Sequence, residues 1–113
     1  MIQITVVRQK LTEAINNVTI EGHAEAADPG GDVVCSAVSA ISFCLFNAIE
    51  EILHVSLELE SFEEEGGYLS FSLPNITDAT LMDRVQLLLA AMVSSLRQIA
   101  EAYSDYVRIT VIN

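Results

Sequence analysis

Tryptophan is absent from these 113 residues and aromatic side chains make up only 6%, against 51% hydrophobic residues overall. The core must therefore be aliphatic. Basic residues are scarce and scattered (Arg8, Lys10, Arg84, Arg97, Arg108), whereas sixteen acidic residues bring the formal net charge to -11. That balance argues against a protein that grips a phosphate backbone. It leaves two roles open for the acidic surface: keeping the chain soluble, or meeting a basic protein or peptide.

Cysteine and histidine are equally scarce, at two each. Cys35 and Cys44 fall on one predicted helix, about 180° and about 13.5 Å apart at helical geometry, so they cannot pair within one chain. Two histidines and two cysteines facing opposite ways are also a poor inventory for a metal, and no metal or other cofactor is expected. No phosphate loop or dinucleotide fingerprint is present. The longest unbroken apolar run, residues 87–93, is too short to span a membrane. Residues 1–8 alternate instead of forming the apolar centre of a signal peptide. The expectation is a cytoplasmic chain with free thiols.

At this length the chain should form one domain, residues 1–113. Two strand-like alternations cover residues 1–8 and 14–22, the first through Ile2, Ile4 and Val6, the second through Ile15, Val18 and Ile20. A loop at 25–31 leads to Asp32, which stands where an N-cap belongs. The helix that follows runs to about residue 53, with Val34, Ala37, Val38, Ile41, Cys44, Leu45, Ala48, Ile49 and Ile52 as its apolar stripe. Residues 54–60 and 68–73 alternate again on either side of an acidic, glycine-ended turn. Thr80 to Asp83 resembles a capping box for a second helix, with Asp78 adding negative charge at its start. Residues 106–112 close the chain as a strand. The order ββαββαβ implies an α+β domain with two helices packed on a mostly antiparallel sheet.

The chemistry concentrates between residues 22 and 39. A histidine, His23, leaves the end of a strand between Gly22 and Ala24, whose small size lets a partner approach the imidazole. Glu25, Ala26, Ala27, Asp28, Pro29, Gly30 and Gly31 then form a loop that reads as a flexible gate. Cys35 follows in the opening turn of the helix. A cysteine works as a nucleophile when held as thiolate, and a helix N-terminus and a neighbouring imidazole both favour that form. The plainer alternative is a buried packing cysteine, which is how Cys44, mid-helix on the apolar stripe, is read. Asp32 caps the helix, orients His23, or does both. Ser39, one turn after Cys35, either bonds the backbone or supports the nucleophile. His54, between Leu53 and Val55, is read as structural.

Gly22-His23-Ala24, then Gly30 or Gly31, Asp32-Val33-Val34-Cys35, Ala37-Val38-Ser39 and Asn47 together resemble the signature of the ribosomal-processing cysteine protease family called Prp. The resemblance covers the whole chain. It implies that Cys35 is the nucleophile and His23 the general base, with Asp32 and Ser39 in support. It implies a cytoplasmic homodimer that removes a short N-terminal extension from bacterial large-subunit ribosomal protein number twenty-seven, after an apolar, phenylalanine-containing motif.

On that reading the substrate peptide lies along the strand edge near Gly22, with its apolar side chains in pockets. Two other classes stay open: a thiol redox sensor, and an assembly module that binds a basic ribosomal protein without cutting it. The second helix is apolar on every side near Leu87, Ala91 and Val93, so one face should be left over for a second copy of the chain.

Overall fold

The computed structural model describes residues 1–22, 31–63 and 68–113, the side chains at 31, 32 and 61–63 excepted. The elements are β1 (Ile2–Arg8), β2 (Ile15–Glu21), α1 (Gly31–Leu53), β3 (Glu58–Glu63), β4 (Tyr68–Ser72), α2 (Ala79–Ala102) and β5 (Val107–Ile112). The sheet order is β3-β4-β2-β1-β5. Neighbours are antiparallel except β1 and β5, which run parallel because α2 carries the chain back along the sheet before β5 enters.

The period of two assigns the faces. Ile2, Ile4, Val6, Val18, Ile20, Leu69 and Phe71 point into a core that both helices cover, joined by Val34, Val38 and Ile49 of α1 and Val85, Leu89, Met92, Val93 and Leu96 of α2. Phe46 of α1 meets Phe71 edge-on, ring centroids 5.2 Å apart. The opposite sheet face is polar and tied together: Asn17 donates to Ser72 at 3.0 Å, and Thr19 donates to Asn17 at 2.9 Å. Glu60, at a register shift in β3, accepts from Ser70 and Ser72.

Several expectations are corrected here. Cys44 is exposed and not core packing. The buried line of α1 runs through Val34, Val38, Ser42 and Ile49, and Cys44 lies about 200° round from Ser42. Ser42 tolerates burial because its hydroxyl donates to the Val38 carbonyl at 2.7 Å. Ile52, also placed on the stripe, is 64% exposed.

The third strand is Glu58–Glu63, not 54–60. Its first residue pairs with Ser72, the last of β4, so residues 55–57 have no ladder to join, although Val55 and Leu57 are buried. The cap of α2 is Asp78, whose carboxylate accepts the Leu81 N–H at 3.2 Å, and not a box beginning at Thr80.

By length and composition alone, 33–53 and 79–102 would each cross a membrane. In this fold each helix lays one line of side chains on the sheet.

Candidate active site

Strand β2 ends beside β1 and β4, with Glu21 paired to Gln3 on one side and Tyr68 on the other. Gly22 follows with φ +91°. A side chain there would collide with the Met1 carbonyl oxygen. That carbonyl belongs to the same peptide unit as the Ile2 N–H, which donates to the Tyr106 carbonyl at 2.8 Å. Glycine at 22 thus has a cause in the backbone itself, in addition to any room it leaves around the next residue.

That next residue is His23. It lies outside the described residues, as do Glu25, Ala26, Ala27, Asp28, Pro29 and Gly30, so the gate is not described. The two ends of this segment are described, and they share one end of the sheet. From Gly22 the chain returns at Gly31, where α1 begins.

The helix opens one residue before Asp32, so the Asp32 backbone belongs to its first turn and does not precede it. The Asp32 side chain is outside the described set. Cys35 is the fifth residue of α1, half-buried and packed against the core. Its position is close to the N-terminal end, where the N–H groups of residues 31–34 have no acceptor within the helix. Ser39, one turn on, is exposed, and its carbonyl accepts from Ser42 at 3.3 Å. Among the described residues no cluster of three or more His, Cys, Asp or Glu side chains could hold a metal.

The topology corrects the expected path of a peptide along β2. Both sides of β2 are taken as far as Glu21, and among the described residues the free edges of the sheet are the outer sides of β3 and β5.

Three tyrosines meet at this end of the molecule. Tyr68 opens β4, Tyr103 caps the C-terminus of α2, and Tyr106 precedes β5. The chain has only these three. All stand at the end of the sheet where β2 finishes and α1 begins, a convergence produced by strand direction and by nothing in the local sequence.

Residues 1–108 match the family model described as cysteine protease Prp. The chain is 36% identical to the ribosomal processing cysteine protease Prp of Bacillus subtilis, over 97% of this chain and 96% of that one. Among solved structures it is similar to SMU.848 from Streptococcus mutans, with a TM-score of 0.84 and 34% identity, covering 99% of this chain and 94% of that one. It is also similar to the Staphylococcus aureus ribosomal processing protease Prp in complex with a substrate peptide. There the TM-score is 0.79 at 27% identity, with 98% of this chain and 99% of that one covered.

Proposed function

The chain belongs to the cysteine protease Prp family, and from that premise we propose that it removes the N-terminal extension of bacterial large-subunit ribosomal protein number twenty-seven. The observation that carries the reading is the placement of Cys35. It sits half-buried near the start of α1, at the end of the sheet where β2 hands the chain to His23.

The reading assigns the following chemistry. The Cys35 sulfur attacks the scissile carbonyl carbon, and His23 takes the thiol proton. The new C–S bond leaves a tetrahedral oxyanion, which the N–H groups at the opening of α1 stabilise. Collapse breaks the C–N bond, and the departing amine takes its proton from His23. Water, deprotonated by His23, then hydrolyses the thioester and returns the thiol. Asp32 and Ser39 support this pair.

The enzyme works in the cytoplasm as a homodimer. Supporting the dimer, Leu87 is 69% exposed on α2, and Ala90 and Ala91 beside it are exposed. A second copy would cover that patch. Sedimentation at micromolar concentration should give twice the chain mass, and Ala91→Asp should give the monomer.

The test of function is incubation with the extended ribosomal protein and with the same protein lacking its extension, read by mass spectrometry. One new N-terminus from the first and none from the second is the expected result. Binding of the extended protein without trimming would overturn the reading in favour of an assembly module. A redox sensor is disfavoured by Cys44, which is exposed on another face of α1 and out of reach of Cys35 within one chain.

A further inference from the structure

The exit of β2 is fixed from outside its own strand. The ladders to β1 and β4 end at Glu21, paired with Gln3 and Tyr68, so Gly22 lies one residue past both. The atoms that a Cβ at 22 would meet all belong to Met1 and Ile2, the Met1 carbonyl oxygen first among them. That carbonyl shares a peptide unit with the Ile2 N–H, which donates to the Tyr106 carbonyl at 2.8 Å.

Tyr106 is itself held. Its N–H donates to the Tyr103 carbonyl at 2.9 Å, and the Val107 N–H reaches the same oxygen at 3.1 Å. The Tyr103 N–H donates in turn to the Ile99 carbonyl of α2 at 2.8 Å. Ile2 and Val107, partners in the β1–β5 ladder, are each 2% exposed, so the core clamps this line of contacts. A continuous run of backbone contacts therefore joins the end of α2 to Gly22. At φ +91° Gly22 turns the chain, and His23 is the next residue. A shift of the Met1–Ile2 peptide unit is thus passed directly to the attachment point of the imidazole.

We infer that Tyr106 is a positioning residue for the reaction: through its carbonyl and the Ile2 N–H it sets how the chain leaves β2 toward His23. The inference rests on the protease reading above. It adds to that reading the start of β5, which sequence places far from both His23 and Cys35. Tyr106 acts on the placement of the base and not on the hold on the peptide, so its effect should fall on kcat and leave KM alone.

The test replaces the Met1–Ile2 amide by an ester, which removes the Ile2 N–H and alters no side chain. Residues 1–34, synthesised as a thioester, are ligated through the Cys35 thiol to recombinant 35–113, and an all-amide protein made the same way is the reference. An ester at the Ile4 nitrogen, in the same β1–β5 ladder but away from the Met1 contact, is the control. One ladder bond is a small part of a domain's stability, so both esters should fold and melt alike. With the extended ribosomal protein as substrate, the Ile2 ester should lower kcat about ten- to hundredfold while KM stays within about twofold. The Ile4 ester should keep both constants. An unchanged kcat in the Ile2 ester, a loss confined to KM, or an equal fall in both esters would overturn the inference and leave the protease reading intact. So would an Ile2 ester that fails to fold where the Ile4 ester folds, since the bond would then be structural only. A reference protein that does not trim the extended ribosomal protein would overturn the protease reading itself.

Discussion

Replacing Gly22 by alanine tests whether the end of β2 is held by its own backbone or kept bare for a ligand. At φ +91° an L-residue sits in a region that costs about 1–2 kcal/mol. The added methyl also meets the Met1 carbonyl oxygen, and that oxygen has no easy retreat. Its peptide unit is pinned by the Ile2 N–H bond to Tyr106, and the Ile2 side chain is buried in the core. Forcing the two apart should add roughly 1–3 kcal/mol, as overpacking does.

The sum, about 2–5 kcal/mol, is a large part of the roughly 5–15 kcal/mol that stabilises a small domain. It should lower the melting temperature by on the order of 10–20 °C. The assay is thermal and urea unfolding of Gly22→Ala beside its cleavage rate, with a semisynthetic protein carrying D-alanine at 22 as control. The D-residue accepts positive φ and directs its methyl elsewhere, so it should melt close to the parent. A Gly22→Ala protein that melts like the parent but binds peptide weakly would refute the backbone argument. Gly22 would then serve only to clear space beside His23.

Other expectations follow from single contacts. Cys35→Ser should abolish trimming while Cys44→Ser cleaves nearly normally, and the reverse pattern would overturn the assignment. Gln86 reaches across to β2, accepting the Ile15 N–H at 2.8 Å and donating to the Ile15 carbonyl at 2.9 Å where the β1–β2 register shifts. Gln86→Ala should cost about 2–3 kcal/mol in urea unfolding, since both backbone groups lose their partner. His54 holds φ 56° just after α1 and is exposed, so His54→Gly should raise stability by about 1 kcal/mol in the same assay. Asp78→Ala should cost about 1 kcal/mol while Thr80→Ala costs far less, as read by thermal melts.

The order of elements was legible because their periods are clean. Ile2, Ile4 and Val6 alternate with polar or half-exposed neighbours, as a one-sided sheet requires. Where the chain is apolar on two sides, periodicity lost its power. In α1 the stripe through Cys44 and Ile52 is as regular as the buried one, and only the position of the sheet decides that Ser42 goes in and Cys44 stays out. The third strand failed for a related reason. Val55 and Leu57 alternate like strand residues and are buried like them, yet whether they pair depends on where β4 stops, seventeen residues downstream of Val55 at Ser72. The cap of α2 was displaced by two residues because Asp78 and Thr80 are both capping types, and the choice lies in backbone angles, with Asp78 at φ -77° and ψ 119°.

The site divided along the same line. Gly22 at the end of β2 and Cys35 near the start of α1 are close in sequence, so their places in the fold could be read locally. What surrounds them could not. The Met1 carbonyl lies against Gly22, and the Tyr103 turn is tied to Ile2, only because β5 enters parallel to β1 and starts at the same end. That parallel pairing is a consequence of α2 returning the full length of the sheet. The second helix therefore does more than cover the core. It delivers Tyr103 to the end where α1 begins, and a change in its length by one turn would move that ring about 5.4 Å along the helix axis.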